Sequence, residues 1–179
     1  MPSQPLSLKA RALRYLAMRE HSRAELERKL ARHLSRQLAL QAGLHPDPQP
    51  GPDGDRESCS EDVAEQIRRT LDELAARNLL SDERAAESLL AGAGQRFGSR
   101  RLKQTLQSKG LAAELVAATV QKSRATEFER AEGLWRRRFG RPPADASERA
   151  RQMRFLAGRG FDAEVIRRLL KAGAAPDED

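Results

Sequence analysis

Four cations, Arg100, Arg101, Lys103 and Lys109, stand within residues 97–111 with no acid among them. In that pattern such side chains meet phosphates or carboxylates, because they carry donors and charge and have no general base beside them. Arg96 precedes them, and from residue 96 to 124 the sole acid is Glu114. Arg136, Arg137, Arg138 and Arg141 form a second basic block; Arg159, Arg167, Arg168 and Lys171 form a third. Acids concentrate instead in residues 53–87. A net charge of +7 and a pI near 10.3 favour an acidic partner: nucleic acid, an anionic membrane surface or an acidic protein face. Aromatics make up only 4%, so a platform that stacks bases is not expected. An isolated surface arginine needs no function, but clustering in successive blocks argues for a shared basic face. The candidate binding residues are Arg96, Arg100, Arg101, Lys103, Lys109, Arg136, Arg137, Arg138, Arg141, Arg159, Arg167 and Arg168.

The same residues argue against catalysis. His21, His33 and His45 lie in unrelated settings without a second ligand at metal spacing. Cys59 sits between Ser58 and Ser60 with no base nearby, and a single cysteine excludes an internal disulfide framework. Gly92, Gly94 and Gly98 are not followed by the Gly-Lys-Ser/Thr of a phosphate-binding loop. Glu25 and Glu27 beside Arg28 and Lys29 are the charge mix of an exposed helix face. The expectation is a binding protein with no metal and no cofactor. No apolar run approaches the roughly 18–20 residues of a membrane span, and the N-terminus lacks the apolar core of a secretory signal. A soluble cytoplasmic monomer is the default expectation.

The elements that must position these cations are written as short helices. Ser7 is placed to cap a first helix with Ala10, Leu13, Leu16 and Ala17 on one side. Ser22-Arg23-Ala24-Glu25 reads as a capping box ahead of the row Leu26, Leu30, Leu34 and Leu38. Prolines at 46, 48, 50 and 52 make residues 43–57 an extended insert. Ser58-Cys59-Ser60-Glu61 offers a further box before the stripe Val63, Ile67, Leu71 and Leu74. Ser81 caps the next helix, whose apolar face is Ala85, Ala86, Leu89 and Leu90. Ser99 is expected to cap the helix of the first basic block, with Leu102 and Leu106 on its inner face. A short helix follows with Leu115, Val116 and Val120. Thr126 to Glu129 reads as a box before Phe128, Ala131, Trp135 and Phe139. Asp145 starts a helix with Ala150, Met153, Leu156 and Ala157, and Asp162 starts the last, with Val165, Ile166, Leu169 and Leu170. Asn78, Gly110 and Gly160 each follow a helix as left-handed terminators. The apolar pairs Leu74–Leu79, Leu106–Leu111 and Leu156–Phe161 then close Schellman motifs. No stretch alternates in the two-residue period of a strand, so the fold class is all-α, with about nine short helices.

These helices repeat. Shifted by fifty residues, Leu106, Lys109, Gly110, Leu111, Glu114, Leu115 and Val116 fall on Leu156, Arg159, Gly160, Phe161, Glu164, Val165 and Ile166. Shifted back by seventy-six, Leu102 and Leu106 fall on Leu26 and Leu30, with His33 and Leu34 where Lys109 and Gly110 stood. The pattern is three helix–turn–helix units, each preceded by another helix: 1–80 (with the insert), 81–124 and 125–173. Residues 174–179 are expected to fray. Lacking the terminating glycine, the first unit's second helix should run on towards the insert.

Arg14-Tyr15-Leu16, then Ser22-Arg23-Ala24-Glu25-Leu26-Glu27-Arg28-Lys29-Leu30, then Leu79-Leu80-Ser81-Asp82-Glu83-Arg84, then residues 98–111 together resemble the RecX family, regulators of the bacterial RecA recombinase. Ala85-Ala86 stand where the family usually has a Phe-Ala pair, and His33-Leu34 replace its usual basic residue and glycine. The resemblance implies an all-helical, elongated array of three tandem three-helix repeats. It also implies a protein that engages the RecA–DNA filament and restrains recombinase and ATPase activity in DNA repair and the SOS response. Single- or double-stranded DNA would then be a weak, nonspecific partner. Two other readings fit the residues: an independent helical DNA-binding protein acting on bare nucleic acid, and a basic scaffold for a different acidic protein.

Overall fold

The computed structural model describes residues 7–41 and 56–172, so most of the proline-rich insert and the expected tail lie outside the described residues. The described residues hold nine α-helices and no strand: α1 (Leu8–Met18), α2 (Arg23–Gln41), α3 (Arg56–Ala76), α4 (Asp82–Gly92), α5 (Ser99–Ser108), α6 (Ala113–Arg124), α7 (Glu127–Arg138), α8 (Ala146–Gly158) and α9 (Ala163–Ala172). Three apolar cores form, each from three consecutive helices. Ala12, Leu26, Leu30, Ile67, Leu71, Leu74 and Leu80 make the first; Ala86, Leu102, Leu106, Leu111, Val116 and Val120 the second. Ala131, Trp135, Leu156, Phe161, Ile166, Leu169 and Leu170 make the third. Two compact units contain them, residues 1–85 and residues 86–179, the second unit holding the last two cores.

The turns follow the sequence closely. Asn78, Gly110 and Gly160 adopt φ of 58°, 75° and 81°. Their following residues close the motif: Leu79 N donates to Leu74 O at 2.9 Å, Leu111 N to Leu106 O at 3.4 Å, and Phe161 N to Leu156 O at 3.3 Å. Side-chain caps form at Ser7, Ser22, Ser81, Asp145 and Asp162, each accepting from a backbone N–H two or three residues on. Without a terminating glycine, α2 runs for 19 residues.

Several local expectations are corrected. In α1 the inner face is Leu8, Ala12, Tyr15 and Leu16, while Leu13 is 37% exposed. Leu38 is 49% exposed because α2 extends past the core that Leu26 and Leu30 fill. Residues 56 and 57 belong to α3, so Ser58 to Glu61 lie inside a helix rather than at its start. In α8 Leu156 is buried as expected, but its buried companion is Gln152, not Met153 or Ala157: Gln152 Oε1 accepts from Trp135 Nε1 at 2.6 Å. Burying an indole N–H requires such an acceptor, which places a polar residue on a face that apolar periodicity cannot find.

Candidate nucleic-acid and partner interface

The first basic block is organised by the start of α5. Gly98, not Ser99, is the N-cap, and no side chain caps the helix; Ser99 is its first residue and is buried. The free N–H groups of this helix end are satisfied instead by distant segments. Gly98 N donates to Arg159 O at 3.0 Å and Arg100 N to Gly160 O at 3.1 Å, both in the turn between α8 and α9. Ser99 N donates to Glu127 Oε1 at 2.9 Å, and the same oxygen accepts from Asp162 N at 3.1 Å. One buried carboxylate thus joins the N-termini of α5 and α9 to the first residue of α7, where a helix dipole also favours an acid. The contact is close: a Cβ on Gly98 would lie 2.3 Å from Gly160 O and from Phe161 N. Only glycine leaves room for that approach.

Arg130 fastens the segment just before α5. Its Nη1 donates to Gly94 O and, at 2.6 Å, to Phe97 O. Nη2 donates to Ser123 O at 2.6 Å and Ser123 Oγ at 2.8 Å, and Nε to Thr126 Oγ1 at 3.3 Å. Every donor group is engaged and no carboxylate is among the acceptors. Carbonyls at or just beyond the C-terminal ends of α4 and α6 carry the negative end of the helix dipole, which offsets the cation. Burial lowers the Arg130 pKa from its ordinary value, with Glu127 opposing. The box expected at Thr126 does not form, since Thr126 has φ −114° and ψ 12° and makes no cap hydrogen bond.

The candidate cations divide by what they touch. Arg100 pairs with Asp162 at 3.4 Å, Arg136 with Glu132 at 3.0 Å, Arg141 with Glu148 at 3.8 Å, and Arg167 with Glu164. Asp162's carboxyl is held below the usual range by the Glu164 N–H and then by Arg100. Arg101, Arg159 and Arg168 lie over phenylalanine rings: Arg101 Cζ is 4.3 Å from the Phe97 ring centroid, Arg159 4.8 Å from Phe155, and Arg168 3.9 Å from Phe128. At these distances the ring face attracts the cation without neutralising its charge. Arg101 also crosses the α8–α9 turn, with Nη1 3.5 Å from Gly158 O, so it shares that turn with Arg159. Arg96 is exposed in the turn after α4, Lys103 is exposed on α5, and Lys109 is the half-buried C-cap of α5. Arg137 and Arg138 are exposed in the last turn of α7. Residues 100, 101 and 159 are therefore brought together, whereas 136–138 sit at the other end of α7 from Glu127.

Models of the first, second and third three-helix domains of RecX match residues 9–34, 81–120 and 125–170. The Regulatory protein RecX of Leptothrix cholodnii is 47% identical over 93% of this chain and 88% of its own length. That of Ralstonia nicotianae is 40% identical over 100% and 96%. The chain belongs to the RecX family. Its fold is also that of the crystal structure of RecX from Lactobacillus salivarius, with TM-score 0.61 at 19% identity, covering 93% of this chain and 94% of that one. Both these relatives carry the name of a regulatory protein. Among the described residues of this chain no helix is long and apolar enough to cross a membrane. The residues that sequence reasoning missed are Glu127 and Arg130. Their acceptors and donors lie up to 36 residues away, and a lone Glu or Arg in a helix carries no local sign of such a role.

Proposed function

We propose that this chain binds the RecA–DNA filament and restrains its recombinase and ATPase activity, acting as a regulator rather than an enzyme. The functional division is three repeats, 1–80, 81–124 and 125–173, working as a cytoplasmic monomer. The observation that carries the reading is a set of cations left unneutralised within the chain. Among the described residues Arg96, Arg101, Lys103, Arg137, Arg138, Arg159 and Arg168 form no ion pair. Arg101 and Arg159, stacked and adjacent at one turn, are the contacts to which most weight is given.

The test is RecA ATPase on single-stranded DNA with increasing amounts of this protein. A falling rate supports the proposal; an unchanged rate and unchanged strand exchange at saturation oppose it. The reading as an independent DNA-binding protein keeps support from the same cations. It predicts sequence-selective binding to bare duplex that persists at moderate salt, where phosphate-dominated binding would be lost.

A further inference from the structure

α7 carries a glycine in its interior, Gly133, and a Cβ built there would meet nothing within 4 Å. Glycine disfavours a helix interior, and a close neighbour is one reason for it to stand there. Here the described residues supply no such neighbour. Gly133 lies instead in the wall of a cleft of about 500 Å³ formed by the end of α4, the end of α6 and the body of α7. Lys122 from α6 and Arg137 from α7 also line this cleft, and both are exposed. Arg130 lines it too, and among the described residues it forms no ion pair, its donors going to carbonyls and hydroxyls. Glu129 is the one acid in the lining.

We propose that this cleft takes the sugar–phosphate backbone of single-stranded DNA, with Lys122 and Arg137 contacting phosphates and Gly133 giving clearance between them. The lining has no aromatic ring, so bases are neither stacked nor read there. Backbone contact needs only cations and room, which is what the cleft offers. An acidic protein segment would need apolar anchorage, and Leu90 and Ala91 are too little to supply it. This rests on the part of the proposed function that brings the chain to DNA. It adds Lys122 and the residues that frame it.

The test measures anisotropy of a fluorescein-labelled oligothymidylate with the full chain across a salt series. Lys122→Gln with Arg137→Gln is expected to lower affinity about tenfold and to flatten the log–log salt slope by about 1.4, two single-strand phosphates. Both side chains are exposed, so circular dichroism should match the parent. Gly133→Met places a helix-favouring side chain in the cleft; helix content should hold or rise while affinity falls. Unchanged affinity and slope in both variants overturns the proposal, as does absence of binding by the parent. Weaker binding of the variants to DNA-free RecA, with DNA affinity intact, also overturns it and assigns the cleft to an acidic protein surface. RecA ATPase by the parent is read separately. If the parent leaves it unchanged while the variants lose DNA, the filament reading fails and the cleft assignment stands.

Discussion

The start of α2 in the first unit and the start of α5 in the second follow one plan with different parts. Seventy-six residues separate Arg23 from Ser99, and each donates its N–H to the first residue of a later helix: Arg23 N to Asp82 Oδ1 at 2.7 Å, Ser99 N to Glu127 Oε1 at 2.9 Å. Asp82 belongs to α4 and Glu127 to α7, the leading helix of the next repeat in each case. The segment before the helix is then held by an arginine. In the first unit Arg84 Nε reaches the Glu20 carboxylate at 3.0 Å, a half-exposed ion pair; in the second, Arg130 reaches only carbonyls and hydroxyls. The cap residue differs as well, Ser22 in one and Gly98 in the other. The longer Glu127 gathers a second N–H, from Asp162, and the α8–α9 turn occupies the space where a side chain at 98 would sit. An acid at the first helical position is thus a reusable joint. Whether it joins two segments or three decides if the cap can be serine.

That comparison can be broken at graded cost. Arg130→Ala strands part-buried carbonyls at the ends of two helices and should destabilise the second unit by about 3–5 kcal/mol, the sum of several groups losing their donor. Arg84→Ala, removing a half-exposed pair, should cost less than about 1 kcal/mol. Urea unfolding followed by Trp135, the sole tryptophan and buried in the third core, reads the first loss; comparable costs for the two arginines would erase the distinction. Next in size, Glu127→Ala leaves two N–H groups without their acceptor and should cost about 2–4 kcal/mol, against about 1 kcal/mol for Asp82→Ala. Gly98→Ser installs the residue native at position 22. It should cost about 1–3 kcal/mol through overlap with Gly160 and Phe161. A neutral result would mean that the turn yields easily.

The smallest effect separates the units by pH. All three histidines fall in residues 1–85, and none in the second unit. His21 is buried, with Nδ1 2.9 Å from Arg19 O and Nε2 2.8 Å from Lys29 Nζ. Nδ1–H therefore donates to the carbonyl while Nε2 accepts from the ammonium, an arrangement that requires neutral imidazole. Burial first, then the charges of Arg19 and Lys29, hold its pKa below the ordinary 6.5; the Arg19 carbonyl and Glu25 oppose. Burial and Arg11 lower His33 likewise. As pH falls through about 6.5 the unfolded chain takes up protons before the fold does, so stability present above that pH is lost on the way down. The second unit lacks a group of this kind, and its depressed Asp162 acts only below the usual carboxylate range. Thermal unfolding between pH 7.5 and 5.5 should lower the transition of the first unit alone. His21→Gln should reduce that slope; a slope borne equally by both units would contradict the assignment.

What could be read from the residues was what neighbours decide. Asn78, Gly110 and Gly160 end their helices as their type and following residue require, and Ser7, Ser22, Ser81, Asp145 and Asp162 cap locally. The core leucines of α5 and the core residues of α9 fall on the expected faces. Ser99 and Thr126 fail as caps for one reason: their helix starts are settled by Glu127 and Arg130, whose partners come from other helices. Gln152 escapes the apolar pattern because it answers to Trp135 across the core. The basic blocks were legible as charge but not as geometry. Sequence does not tell that Arg100 is neutralised by Asp162 while its neighbour Arg101 is stacked on Phe97 and unpaired.

Arg101 and Arg159, which lie over phenylalanines at the α5 and α8–α9 contact and form no ion pair, are proposed to carry filament binding, and the ion-paired arginines are not. RecA ATPase on single-stranded DNA should be compared with the parent chain, with Arg101→Glu/Arg159→Glu, and with Arg136→Glu/Arg167→Glu, at matched helix content. The parent and the second variant should suppress the ATPase, while the first should lose most of that effect. Equal suppression by both variants, or loss confined to Arg136→Glu/Arg167→Glu, would contradict it.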